Sequence, residues 1–485
     1  MGENKLKTTP KLRKTKVIAT IGPACDNVDT LKAMIGAGMN VARLNMSHGD
    51  VKAHTETLQR VRQATHEMDR TIAIMVDTRG REIRTGTLKS ALKSDGVLLE
   101  RNQEFSLYGD GRKGDEQGVS VSYTNLYRHT KPGDRILVND GQIELIVTNV
   151  VDSTIECRVE CGGVLRNTKG VNLPDNKTAF DDIPSNDALE IDFAVSNDVQ
   201  YIAASFIRNA NEVIALRDQL KSRGAEIPII AKIENREGVE NLNSIITAAN
   251  GIMVARGDLG VELEMGQGPT IQKQIIRATV SQGKPVITAT QMLDSMERNP
   301  RPTRAEVSDV ANAIFDGTSA VMLSGETAVG RRPVEAVQTM VHLAMEAETG
   351  LRQYGYLQQI EPNPSNEVTE AVAQASITMA NHLNAAAIIA LTETGFTSRL
   401  ISKYRPYCPI FAITTSKQVV AQLSMNWGVL AMHYDGDGSD EKKIAFAISK
   451  AKALGYVKDN DVLILTAGSS RQAGSTDLIR VLSVK

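Results

Sequence analysis

The sequence predicts an α/β protein: a (β/α)8 barrel interrupted by a small all-β domain and followed by an open α/β domain. Three observations predict it. Eight short β-branched runs recur along the chain, most of them separated by amphipathic stretches. Residues 87–182 break that rhythm with short alternating runs and no convincing helix. After the polar, proline-containing segment 358–367 the pattern changes again.

The expected barrel strands are, in order, 16–21, 40–46, 71–77, 201–206, 228–233, 251–256, 285–290 and 319–323. Each is apolar, rich in β-branched residues, and ends in polar residues or glycine, the pattern of a buried strand. Between them, 30–37, 51–68, 211–221 and 271–281 carry helix-like periodicity. Strands alternating with helices pair in parallel through βαβ crossovers, and eight such units close a barrel. The barrel is therefore assigned to 1–86 and 183–357. The insert, 87–182, contains runs such as 104–108, 135–138 and 143–148, split by Gly, Asp and Asn. The C-terminal domain, 358–485, opens with a helix over 368–383, continues with strands at 386–391 and 410–414, and is expected to finish on a strand at 462–466.

Composition narrows the function. Lys plus Arg is 55 and Asp plus Glu is 57, a net charge of -2, so the chain has no global basic field for nucleic acid. It contains no apolar run of the roughly 18 residues a membrane helix needs. The N-terminal stretch is polar and basic, without the apolar segment of a secretory signal, and Leu6 stands where a myristoylation pattern needs Ser or Thr. Four dispersed cysteines do not form a disulfide framework, and a cytoplasmic protein is expected.

The polar signatures collect at strand ends, where barrels carry their chemistry. Arg43, Asn45 and Ser47 alternate, so on a strand they share one face. Such groups are costly inside a barrel unless they bind something. Asn45 and Ser47 offer oxygens, and Arg43 offers a guanidinium suited to phosphate or carboxylate. The plainer reading is a strand leaving the core into its loop. Lys232 and Glu234 alternate at the end of the fifth strand and are either a salt bridge or a catalytic pair. With Asp258, Glu234 makes two carboxylates on neighbouring strand ends, a set suited to Mg²⁺ or Mn²⁺, beside which Lys232 would neutralise a transferring phosphoryl group.

Several motifs are set aside. Arg256-Gly257-Asp258 spells a cell-adhesion tripeptide, but in a barrel-strand context. Gly109-x-Gly111-x-x-Gly114 matches a dinucleotide fingerprint, yet strand-like residues follow it where a helix is required, so a hairpin loop is expected. Cys157-x3-Cys161 lacks a second ligand pair for zinc. His48 is the one histidine beside a strand-end cluster, and its plain reading is structural.

Longer motifs carry a resemblance. KTKVIATIGPA, NVARLNMSHG, IRTG, ILVNDGQIE, KGVNLP, AASFIR, AKIENREGVEN, GIMVARGDLGVEL and the run KPVITATQMLDSMERNPRPTRAEVSDVANAIFDGTSAVMLSGETAVG resemble the pyruvate kinase family over nearly the whole chain. The resemblance implies a phosphotransferase that converts phosphoenolpyruvate and ADP to pyruvate and ATP in glycolysis. It implies that Glu234 and Asp258 hold the divalent cation, that Lys232 stabilises the phosphoryl group in flight and that Arg43 binds phosphate. Backbone N–H groups around Arg256, Gly257 and Asp258 would hold the substrate carboxylate, with Thr290 beside the enolate helping to deliver its proton. Asn45, Ser47, Asp77 and Thr78 would bind K⁺. Asn45, His48, Arg84, Asp140 and Lys169 would lie toward the nucleotide, the last two arriving from the inserted lid.

The resemblance also implies K⁺ dependence, because Glu82 stands where potassium-independent members carry Lys. It implies a homotetramer and a C-terminal effector site for a sugar phosphate or nucleotide, built from Thr392, Thr394, Gly395, Phe396, Thr397 and Arg471. Two positions depart from the family pattern DTKGPEIRTG. Arg79 replaces Lys, and Arg81 replaces Pro at the hinge to the lid, so a loosened lid and altered kinetics are expected. Two rival readings are a metal-dependent carbon–carbon lyase and a silent, effector-sensing homologue. The lid residues and the potassium set argue against the first, and the intact metal and phosphoryl residues against the second.

Overall fold

The computed structural model describes residues 12–80, 82–89, 96–174, 187–264, 266–355, 360, 367–436, 438–468 and 476–485. All eight expected barrel strands form: Lys16–Thr20, Val41–Asn45, Ala73–Asp77, Tyr201–Ala204, Ile229–Ile233, Gly251–Ala255, Val286–Ala289 and Ala320–Leu323. They are parallel, and the first pairs with both the second and the eighth, so the sheet closes. The third strand pairs directly with the fourth, Asp77 opposite Ala203, across the point where the insert leaves the barrel.

The two faces of these strands explain where polar residues sit. Successive side chains alternate between the helix-facing and the barrel-facing sides. Val17, Ala42, Leu44, Val76, Ile202 and Ile252 turn outward into one core with the helices. Ile18, Val41, Met75, Tyr201, Ile230 and Met253 turn inward. Following the inward register toward the C-terminal ends leads from Val41 to Arg43 and Asn45, from Met75 to Asp77, from Ala203 to Ser205, and from Ile230 to Lys232 and Glu234. The apolar layers fill the barrel, and in these four strands the polar residues come last.

Several strands stop one or two residues short of the expected end, and two of these shifts move expected site residues. Strand two stops at Asn45, and Ser47 lies in the following turn, its N–H donating to Asn45 Oδ1 at 3.3 Å. Alternation therefore covers Arg43 and Asn45 but not Ser47. The sixth strand stops at Ala255, and Asp258 stands in the first turn of the helix Arg256–Glu262 rather than on a strand end.

Among the described residues the insert is all-β apart from a short 3-10 turn, Leu126–His129. Six strands form one sheet in the order Val171–Asn172, Arg135–Val138, Ile143–Val151, Thr154–Cys161, Glu104–Tyr108, Gly118–Ser120, and Val97–Leu99 pairs with Gly163–Leu165. Its own apolar core includes Phe105, Leu145 and Val159, and also Ile83 from the connection to the barrel. The Gly109–Gly114 loop is not a hairpin. The strands on either side of it, Glu104–Tyr108 and Gly118–Ser120, run parallel, so the loop is a crossover.

The C-terminal sheet has the order Val429–His433, Ile410–Thr414, Ala387–Leu391, Val462–Gly468, Thr476–Ser483. The first four are parallel and the last is antiparallel. The chain thus ends on a strand beyond the one expected to be final. That edge strand is mostly exposed, and its apolar residues come in the pairs Leu478-Ile479 and Val481-Leu482 instead of alternating.

Candidate active site

Lys232 is the centre of a buried polar cluster. Its Nζ lies 3.0 Å from Asp77 Oδ1, 2.7 Å from Ser205 Oγ and 3.1 Å from Glu234 Oε1. Asp77 also accepts from Arg43 Nε at 2.6 Å, and Arg43 Nη1 donates to Thr20 Oγ1 at 2.9 Å. Asp77 and Glu234 are 1% and 2% exposed, so each charge must find its counterpart inside the protein.

The electrostatics follow from this geometry. Burial alone would lower the Lys232 pKa, but Asp77 and Glu234 outweigh it and hold the ammonium above the ordinary lysine range. Burial alone would raise Asp77, but Arg43 and Lys232 hold its carboxyl below the ordinary range. Asp258 goes the other way. Burial first, then the Glu234 carboxylate, pushes it up to about 7. A cation between two such carboxylates would favour the charged form of both.

A cleft of about 620 Å³ opens beside this cluster. The barrel contributes His48, Asp258 and Glu262 to its walls, the barrel–lid connection Glu82 and Arg84, and the lid Asp140 and Lys169. The connection is held to the lid: Thr85 N–H donates to the Lys169 carbonyl at 2.7 Å, and Arg84 Nη1 to the Thr168 carbonyl at 3.2 Å. Glu82 pairs with Arg84 at 2.8 Å. Asn139 and Asp140 reach the cleft with φ of 56° and 55°, the left-handed turn that the following Gly141 continues. Burial, then Arg84 and Arg43, depress the His48 pKa, which favours neutral imidazole.

The remaining expected site residues fall as follows. Thr290 follows the seventh strand; its hydroxyl accepts from Gly257 N–H at 2.9 Å and donates to the Ala289 carbonyl at 2.6 Å. The Arg256 side chain turns away from the cleft to Asp309 and the Thr290 carbonyl. Asn45 stands opposite Asp77 in the strand register, and Thr78 Oγ1 accepts from Ser205 N–H at 3.4 Å. These donors offer oxygen atoms only, around a carboxylate that Arg43 and Lys232 already share. Arg79 does not line the cleft; its guanidinium reaches the Met46 carbonyl at 2.5 Å and Glu190 at 3.3 Å. Arg81 lies outside the described residues.

In the C-terminal domain, Thr392 Oγ1 accepts from Gly395 N–H at 2.9 Å, Thr394 offers its carbonyl to Arg399, and Phe396 opens the helix Phe396–Lys403. The Thr397 hydroxyl meets that of Thr476 at 2.6 Å. Arg471 lies outside the described residues.

Ser205 is the neighbour in this cluster that strand-end reading missed. It bonds both Lys232 and Asp77, and it occupies the inward position two residues beyond Ala203. The alternation Tyr201-Ala203-Ser205 was the signal available for it. Thr20, reached by Arg43, sits in the equivalent place after Ile18.

The family model described as "Pyruvate kinase, barrel domain" matches residues 12–337, across both barrel segments and the insert. The one described as "Pyruvate kinase, alpha/beta domain" matches residues 370–482. Relatives named pyruvate kinase include those of Bacillus licheniformis, 43% identical over 98% of this chain and 81% of the relative, and Clostridium acetobutylicum, 41% identical over 98% and 100%. That of Geobacillus stearothermophilus is 44% identical over 97% of this chain and 80% of its own. With matches spanning barrel, lid and C-terminal domain, the chain belongs to the pyruvate kinase family.

Proposed function

We infer that this protein moves the phosphoryl group of phosphoenolpyruvate to ADP, giving pyruvate and ATP. The observation that carries the reading is Lys232, buried among Asp77, Ser205 and Glu234 beside a cleft walled by both barrel and lid. The bond from phosphorus to the enol oxygen breaks, and one forms to a terminal oxygen of ADP. The enolate left behind takes one proton at its methylene carbon.

Each residue has a part in this. Lys232 neutralises the group in transit, where a fixed charge in a dry site is most effective. Arg43, held by Asp77 and Thr20, binds phosphate. Backbone N–H groups at the start of the helix Arg256–Glu262 hold the substrate carboxylate, and Thr290 helps to deliver the proton. His48, Arg84, Asp140 and Lys169 attend the nucleotide, and lid closure excludes water that would hydrolyse the phosphoryl group.

Glu234 and Asp258 fit Mg²⁺ or Mn²⁺, because two carboxylates, one of them raised by burial and by the other's charge, suit a hard divalent ion. Among the described residues no third His, Cys, Asp or Glu joins them as a ligand group, which leaves room for substrate oxygens. Such an ion withdraws charge from the phosphoryl oxygens. Asn45, Ser47, Asp77 and Thr78 fit K⁺ by their oxygen donors. The C-terminal segment 392–397 is read as the effector site for a sugar phosphate or nucleotide. The assembly is read as a homotetramer and the compartment as the cytoplasm. No helix among the described residues is long and apolar enough to cross a membrane.

The test is pyruvate formation from phosphoenolpyruvate, ADP and Mg²⁺, with and without K⁺. Potassium-stimulated, ADP-dependent pyruvate is expected, and Glu82→Lys should reduce the potassium requirement. A Glu82→Lys enzyme that needs K⁺ as strongly as wild type would remove the ion assignment. Pyruvate and inorganic phosphate formed without ADP would mark hydrolysis instead of transfer, and folded protein that binds no ADP points to a lyase. No pyruvate from folded protein, even with sugar-phosphate and nucleotide activators, points to a silent homologue.

A further inference from the structure

Thr290 and Gln291 follow the seventh barrel strand with φ of +67° and +52°. Neither is glycine, so two consecutive L side chains occupy the left-handed region, where something around them must hold the backbone. The Arg256 side chain does so. Its Nη2 donates to the Thr290 carbonyl at 2.8 Å, and its Nε lies 3.3 Å from the carbonyls of both Ala289 and Thr290. On the far side, Nη1 pairs with Asp309 at 2.6 Å. Asp309 belongs to the helix Arg304–Asp316, so the guanidinium is braced from a different barrel unit. The residue after Arg256 completes the arrangement, since Gly257 N–H donates to the Thr290 hydroxyl.

The Arg256 side chain is not among the residues that line the cleft. It turns from the cleft and spreads its planar fork over two backbone carbonyls, the Asp309 carboxylate, Met292 Sδ at 2.8 Å and Gln272 Oε1 at 3.5 Å, a use that a lysine point charge cannot reproduce. We propose that Arg256, braced by Asp309, is a positioning residue. It locks the strained turn that aims the Thr290 hydroxyl at the enolate, and so controls proton delivery rather than phosphoryl transfer. The proposal rests on the reading of Thr290 given above.

The test compares full-length Arg256→Lys, Asp309→Asn, Thr290→Val and the Asp309→Asn/Thr290→Val double variant, each checked for folding by its unfolding midpoint. Exchange of the pyruvate methyl protons with deuterated solvent, in the presence of ATP, Mg²⁺ and K⁺, is followed by NMR, alongside kcat and KM for phosphoenolpyruvate. Exchange is expected to fall by about tenfold or more in Arg256→Lys and Asp309→Asn, while KM stays within about threefold of wild type. The double variant should lose no more than Thr290→Val alone, because the clamp acts through Thr290. Should Arg256→Lys fail to fold, Asp309→Asn still decides the matter, since that carboxylate is about one-third exposed. Exchange that is lost in Thr290→Val but kept in both clamp variants overturns the clamp alone. Additive losses in the double variant, or KM rising in step with the loss of exchange, mark a merely structural pair and also overturn it. Exchange unaffected in Thr290→Val removes the proton-delivery reading, and the clamp with it.

Discussion

Lys232 shows how one residue can be both a structural and a chemical element. Its ammonium satisfies Asp77 and Glu234 in the ground state, and Ser205 holds it in place. Because those carboxylates keep it charged, it is ready for a phosphoryl group without any proton transfer. Lys232→Met should therefore cut kcat by about a thousandfold, on the scale of losing a preorganised electrostatic contact in a dry site. Mn²⁺ binding, followed by electron paramagnetic resonance, should persist because Glu234 and Asp258 remain. Unchanged kcat would refute the role. Lys232, Glu234 and Arg43 were legible because alternation carries them to one face. The partners Ser205 and Thr20 were not singled out, since a lone hydroxyl at a strand end has no distinctive chemistry until a charge is seen beside it.

At the scale of the element, the helix Arg304–Asp316 links local sequence to the site. Thr303-Arg-Ala-Glu306 is a capping box: Thr303 Oγ1 accepts from Glu306 N–H at 3.2 Å, and the Glu306 carboxylate accepts from Thr303 N–H at 2.7 Å. Glu306 also takes the N–H and hydroxyl of Ser295, at 2.7 and 2.6 Å, and so ties the helix start to the loop after the seventh strand. The helix ends at Gly317, whose φ of +100° permits the left-handed cap. Thr303→Ala removes one side of the box and should cost about 1 kcal/mol of stability, read as a lower urea midpoint. An unchanged midpoint would show that Ser295 and Glu306 fix the helix start without it. The strands were the most legible elements, because long apolar runs flanked by polar residues have few alternative structures. The exposed edge strand Thr476–Ser483 was not, because its partner, not its own pattern, makes it a strand.

At the scale of the molecule, the barrel base and the C-terminal domain are joined by reciprocal hydrogen bonds. Lys14 Nζ donates to the Tyr407 carbonyl at 2.7 Å and Lys16 Nζ to that of Val429 at 2.8 Å, while Arg405 Nη2 returns to the barrel at the Gly317 carbonyl, 2.6 Å away. Met425 of the C-terminal domain is fully buried with the inward-facing barrel residues. Burial, then the nearby Arg13, pushes Lys16 from 10.5 down to about 7. A lysine depressed on folding binds fewer protons in the folded state than in the unfolded one between those two values. Its contribution therefore makes stability rise as pH climbs from about 7 toward 10.5. Lys16→Met should remove that rise, so the difference in thermal midpoint between wild type and variant should change across this window. A difference independent of pH would exclude Lys16 as the source.

The sequence by itself determined the barrel, the insert and the C-terminal sheet, because periodicity and turn chemistry are local properties that few folds can satisfy together. It also determined which polar residues end the strands, since a period of two assigns each to the inside or the outside. Only the tertiary structure decided what those residues do to one another. Asp77 became the shared counter-charge of Arg43 and Lys232, Asp258 was raised by burial and then by the Glu234 carboxylate, and Arg256 turned from the cleft to hold Thr290. Each of these depends on distances between segments far apart in the chain. A charge's effect is set by what lies within a few ångströms of it and by how much water is excluded, and no local pattern records either.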